Sequence, residues 1–125
     1  MDKIYDDKGR ELKLYRLYQH YKKEKDGEDM IYCVNGISKP RTKEILEIIE
    51  PESNEELHFH HSELDYDVSI LRMGKSYNHY KGIDDSILVI YTAMYGERKT
   101  YVRPLSMFLD KVKVEDKEKY RFELI

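Results

Sequence analysis

The sequence predicts a mainly β fold, a small barrel or sandwich with one or two short helices. Three observations carry that reading. Short β-branched and aromatic runs alternate with Gly, Pro, Asn and Asp turn signals at regular spacing, giving roughly seven or eight short strands. Twelve tyrosines against no tryptophan suit strands whose rims carry hydroxyls. Residues 87–94 form an apolar run that breaks at 95–99 around Gly96, restarts as Thr100-Tyr101-Val102-Arg103 and stops at Pro104, which is a β-hairpin signal.

The elements follow in order. After Ile4 and Tyr5, the turn signal Asp6-Asp7-Lys8-Gly9 leaves a frayed end or closes a short hairpin onto Leu12. Residues 11–22 fit a strand by alternation and a helix by the spacing of Leu14, Leu17, Tyr18 and Tyr21, so periodicity leaves both open. Residues 22–29 read as a charged loop centred on Gly27, 30–37 as a strand turning at Asn35-Gly36, and 38–41 as a loop. The β-branched run 45–50 predicts a strand ended by a turn at 51–54. Residues 57–63 resume as an amphipathic strand, with Leu57 and Phe59 facing one way and His58 and His60 the other. Residues 68–73 form a strand ended by Gly74, and 76–82 lead through the turn 83–86 into the hairpin. Beyond Pro104 come one helical turn (105–109), a strand (111–114), a polar turn and a final strand (120–125) with Phe122 and Leu124 inward.

At 125 residues the chain fits a single domain, 1–125, with a core that needs no staples. Charged residues are 38% of the chain, yet interspersed, with a net charge of −3. That balance gives no global drive toward nucleic acid or acidic membranes. Cys33 is the sole cysteine, which excludes an internal disulfide and a thiolate zinc cluster and suits a reducing cytosol. No apolar start of signal-peptide length and no run of about 20 apolar residues is present, so a cytoplasmic protein without membrane association is expected.

Two patterns bear on architecture. Residues 19–64 echo 78–108: Gln19-His20-Tyr21-Lys22 returns as Asn78-His79-Tyr80-Lys81, and 45–53 resembles 87–95. Residues 77–125, carrying HYKG, VIYTAMYG, YVRPLSMF and YRFELI, resemble a family of small bacterial and phage proteins of unknown function. That family's pattern is an HYKG strand, a strand ending in LYG, a WVRP-x-x-MF segment and a closing RF strand. Tyr101 stands where the family has tryptophan. The segment usual between HYKG and LYG is replaced by residues 83–86 alone, and 30–44 looks like that missing piece. The resemblance implies an SH3-like β-barrel, here expanded or partly duplicated, in a phage or bacterial cytoplasm. It implies no activity.

No Walker or dinucleotide fingerprint is present, and no two carboxylates are paired by spacing, so no catalytic residue and no cofactor is expected and the chain reads as a non-enzyme. His58 and His60 share a strand face that a metal could bridge, a weak signal beside a solvated histidine strand, and Cys33 defaults to a buried inert thiol. Small barrels put binding on loops and an open face. The candidate ligand-binding residues there are His79, Tyr80, Lys81, Tyr95, Arg98, Lys99, Tyr101 and Arg103. Tyrosine stacks on planar groups while Arg and Lys clasp phosphate or carboxylate, which suits a small anionic, nucleotide-like ligand such as a host defence signal sequestered by a phage protein. The second reading is an interaction module or inhibitor of a host protein, including a homo-oligomer. Single-stranded nucleic acid is a third, disfavoured by the negative net charge.

Overall fold

A computed structural model describes residues 3–125. The chain runs β1 (Ile4–Tyr5), β2 (Glu11–Leu12), β3 (Leu17–Lys25), β4 (Glu28–Arg41), α1 (Lys43–Ile49), a 3₁₀ turn (Glu50–Glu52), β5 (Glu55–His61), β6 (Tyr66–Met73), β7 (Ser76–Tyr80), β8 (Leu88–Ala93), β9 (Thr100–Pro104), α2 (Leu105–Phe108), β10 (Lys111–Val114), β11 (Lys117–Tyr120) and β12 (Phe122–Leu124). Six strands close a barrel in the order β4-β7-β6-β5-β9-β8, with β8 returning to β4. This is the small SH3-like barrel expected. Outside it, β12 and β3 extend the sheet from β4, and β1–β2 and β10–β11 form separate hairpins.

The barrel closes through β4. Along one edge β8 runs antiparallel from Tyr32 to Ser38. Along the other, β3 pairs with Ile31 to Cys33, Tyr15 and Arg16 bond the backbone of Val34, and β7 runs parallel from Ser38 to Arg41. The neighbouring strand therefore changes over residues 35–37, and β4 lies at the base of a fork.

Alternation of side chains sorts the apolar residues into two cores. Val68, Ile70, Leu88, Ile90 and Val102 fill the barrel, with Leu57, Phe59 and Tyr77 against them. The opposite faces of β4 and β8 bury Tyr32, Val34, Val89, Tyr91 and Ala93 in an outer core, roofed by Tyr18, Leu105, Phe108 and Phe122. Phe108 and Phe122 stack with centroids 4.2 Å apart, so β12 is locked to α2.

Several expectations are corrected. Residues 45–50 lie mostly in helix, because the Thr42 hydroxyl accepts the Ile45 N–H at 3.3 Å and Glu44 sits in the positive first turn. Those local terms outweigh the β-branched propensity of the isoleucines. Residues 22–29 are no loop: Asp26 and Gly27, at φ 52° and 80°, make a two-residue turn whose twist matches the strands, and β3 and β4 pair up to it. Asn35-Gly36 makes no turn; it falls at a bulge in β4, which continues through the expected loop 38–41. The polar run after Val114 turns at Glu115 and Asp116 and then pairs back as β11. Phe122 is 5% exposed, but Leu124, past the end of the outer core, is 39% exposed rather than inward. Of the internal echo, 45–53 is mostly helical and 87–95 mostly strand. The short hairpin of Ile4 onto Leu12, the helical turn after Pro104 and the 87–104 hairpin are present.

Among the described residues no helix is long and apolar enough to cross a membrane.

Candidate functional site

The eight expected ligand residues do not share one hollow. Tyr95, Lys99 and Tyr101 line a hollow of about 390 Å³ beside the β3–β4 turn, together with Lys25, Asp26, Glu28 and Glu97. Arg98, exposed at φ 56°, belongs to the same loop. Lys99 Nζ lies 5.9 Å from the Tyr101 ring centroid, and Tyr95 is held from below, its hydroxyl 2.5 Å from that of Tyr32. Three carboxylates against two lysines give this hollow no net pull on an anion.

His79, Tyr80 and Lys81 sit at the far end of β4. Tyr80 pairs with Arg41, whereas Tyr32, which pairs with Ala93 next to the 95–99 loop, comes nine residues earlier. At about 3.3 Å per residue, that separates the two groups by roughly 30 Å along the strand. The HYKG motif makes local contacts at this end of β4. The Tyr80 ring occupies the space a Cβ on Gly82 would need, 2.2 Å from its Cε2, and the Lys81 N–H bonds the Arg41 carbonyl at 2.9 Å.

His79 is 1% exposed, with Nδ1 2.8 Å from Ser38 Oγ and Nε2 2.9 Å from the Asp84 carbonyl. Burial pushes its pKa below the ordinary histidine range, against the opposing pull of Asp84. His61, wholly buried, accepts the N–H groups of Glu63 and Leu64 at Nδ1, so its hydrogen sits on Nε2, 2.8 Å from Asp84 Oδ2. Burial pushes the Asp84 carboxyl up, but bonds from Ser86 and His61 outweigh it and hold the group below the usual range. The residue types match a nucleophile relay, yet Ser38 has no exposure and His79 faces a backbone carbonyl rather than the carboxylate. The network ties one end of the barrel to the 83–86 turn.

Arg103 is likewise embedded. Its Nε donates to the Tyr91 hydroxyl at 3.2 Å, Nη1 lies 2.9 Å from Glu63 Oε1 as an ion pair without hydrogen-bond alignment, and the guanidinium covers the Phe122 ring. His58 and His60 do share a face, but they meet different carboxylates: His58 lies 3.6 Å from Glu56, and His60 is flanked by Asp65 at 3.0 Å and Asp67 at 3.3 Å. Among the described residues no group of three His, Cys, Asp or Glu is placed to hold a metal ion.

The fork at β4 is a different kind of place. A cleft of about 180 Å³ opens there, with Leu14 and Tyr15 on one wall, Lys75 to Asn78 on the other, and Asn35 to Ile37, Lys39 and Arg41 along β4 between them. Three cations and no carboxylate line it, whereas four other hollows each include a carboxylate. Lys39, Arg41 and Lys75 form no ion pair among the described residues. Arg41 Nε donates to Asn78 Oδ1 at 2.9 Å, which orients the guanidinium and leaves both terminal nitrogens without a side-chain partner among the described residues. Tyr15, at the mouth, is 65% exposed with φ 59°, a conformation costing an aromatic L-residue about 1–2 kcal/mol. Its N–H to the Val34 carbonyl, at 2.8 Å, helps hold it there.

Residues 84–124 match the family model described as Protein of unknown function (DUF1653). The matched segment is the β8–β9 hairpin, α2, the β10–β11 hairpin and β12, the part that builds most of the outer core. The cleft's walls, residues 14–78, lie outside it. No curated protein and no solved structure matches the chain.

Sequence reasoning passed over Tyr15, Lys39, Arg41, Lys75, Tyr77 and Asn78. A signal was present. Residues 12–23, 30–43 and 68–83 contain no Asp or Glu in a chain that is 38% charged, and these three stretches supply all the cleft's walls. What the sequence lacked was the parallel β4–β7 pairing that brings the second and third together.

Proposed function

We propose that this chain is a non-catalytic binding module that holds a small anionic ligand in the cleft at the β4 fork. The observation that supports it is the carboxylate-free lining with Lys39, Arg41 and Lys75 unpaired. A guanidinium steadied by Asn78 and two lysines suit a phosphate or carboxylate, and Asn35 and Tyr77 add polar and stacking surface. The role that follows is retention or sequestration of the ligand rather than its conversion.

The test is thermal unfolding in inorganic phosphate or sulfate at constant ionic strength. Stabilisation that grows with anion concentration is expected, and Arg41→Gln or Lys75→Gln should weaken it. Stabilisation of equal size in both variants, or none in the wild type, rejects the site.

A second reading, a protein-interaction module, draws on α1, none of whose side chains is buried and where Ile48 is 69% exposed. A concentration-dependent dimer in sedimentation, or a captured host partner, abolished by Ile48→Lys, would favour it.

A further inference from the structure

The cleft at the β4 fork is small. At about 180 Å³ it lies below the range that encloses a whole cofactor or drug-sized ligand, so it can take the charged end of a ligand and little more. Whatever that charged group is attached to must lie across the mouth. Among the lining residues the exposed aromatic side chain is Tyr15, a ring 65% accessible and held at φ 59° by the backbone of Val34.

Such an arrangement is informative. A turn residue at positive φ is ordinarily Gly, Asn or Asp, and a large aromatic there is a rare choice that the turn itself does not require. The ring adds little to the fold, being mostly in water, while it stands beside cations that would fix one end of a ligand. A fixed anion with an adjacent stacking face is the pairing that recognises a phosphate joined to a planar heterocycle.

Resting on the reading of this cleft as an anion site, we propose that its ligand is a nucleoside monophosphate unit, the phosphate entering between Arg41 and Lys75 and the base stacking on Tyr15. The unit can come from a free nucleotide or from the end of a single strand, since both present a phosphate monoester beside an unpaired base. Stacking on Tyr15 is indifferent to which base is present, so purine and pyrimidine nucleotides bind within a few-fold of each other.

The experiment is calorimetric titration of the full chain with ribose 5-phosphate, AMP, UMP and a 5′-phosphorylated five-nucleotide oligothymidine. AMP and UMP should bind about tenfold more tightly than ribose 5-phosphate. Tyr15→Asn, which tolerates the turn's φ, should erase that difference, whereas Tyr15→Phe should keep it. Tighter binding of the oligonucleotide than of AMP assigns the source to a strand end, and equal or weaker binding assigns it to a free nucleotide; each supports the nucleotide unit. Equal affinity for AMP and ribose 5-phosphate in the wild type overturns the stacking proposal while leaving the anion site in place. Failure of every probe overturns both.

Discussion

The ring of Tyr77 lies against the bare backbone of Gly36, so closely that a Cβ added to Gly36 would stand 3.2 Å from its Cε2. This contact sits where β4 changes partner from β3 to β7, and it joins a wall of the cleft to its base. Gly36→Val should cost about 1–3 kcal/mol in urea unfolding, because the ring is also packed against the barrel core and has little room to retreat. Tyr77→Leu in the same chain should recover part of that loss, with a coupling of at least about 0.5 kcal/mol. Additive costs would show that the two residues do not meet.

The fold class was legible because strand patterning and turn chemistry are local, and the β8–β9 hairpin shows it: apolar run, glycine loop, alternating run, proline. Where the reading failed, a different local term or a distant partner decided. Thr42 caps a helix that the isoleucines of 45–50 argue against, and Asp26-Gly27 rather than Asn35-Gly36 makes the turn. Both dipeptides are turn signals, and only the register against β8 places the second at a bulge. The site was harder still. His79 and Arg103 have the chemistry of ligand residues, but partners that periodicity does not reveal, Ser38 on β4, Tyr91 on β8 and Glu63 in the β5–β6 turn, consume them in packing.

The cap on α1 can be tested apart from global stability. The helix buries no side chain, so Thr42→Ala should alter the overall unfolding free energy by less than about 0.5 kcal/mol. The local equilibrium should still lose about 1 kcal/mol. Hydrogen exchange of the Leu46 amide, which bonds the Thr42 carbonyl at 3.0 Å, should therefore speed up about fivefold. Unchanged exchange would mean that the cap does not hold the helix.

The two apolar residues of β12 should separate sharply. Phe122 stacks on Phe108 and meets Tyr32 and Tyr91 edge-on, so Phe122→Ala should cost about 3–5 kcal/mol. Leu124, 39% exposed, should cost less than about 1 kcal/mol on truncation to alanine. Similar losses in chemical denaturation would contradict the observed facing of the strand.

The charge balance of the two hollows predicts where an anion acts. Lys99→Gln touches the hollow that also holds Asp26, Glu28 and Glu97, and should leave phosphate-dependent stabilisation unchanged. Arg41→Gln should reduce it about tenfold in apparent affinity, a typical loss for a charge-assisted bond. Thermal shift in a phosphate series compares them directly, and the reverse ranking would move the site to the 95–99 loop.

Stability should fall in two stages as the solution is acidified. His20 is pushed down to about 4 by burial first and then by Lys22, Arg103 and Arg121, and His79 is lowered by burial. Between the ordinary histidine pKa near 6.5 and those lowered values, the unfolded chain binds protons that the folded chain refuses, so stability drops as pH falls through that window. The carboxylates of Asp6, Asp84 and Asp110 act lower down. Their pKa values lie below 3.8 in the folded chain, so their contribution is complete above the unfolded value and is lost as pH falls past the folded ones. His20→Gln should flatten the first stage and leave the second intact, because His20 packs edge-on to Phe122 at 5.3 Å and forms no ion pair with these carboxylates. Urea midpoints measured from pH 8 to pH 3 resolve the two stages, and an unaltered slope between pH 6.5 and pH 4 in that variant would show that His20 is not held neutral by its surroundings.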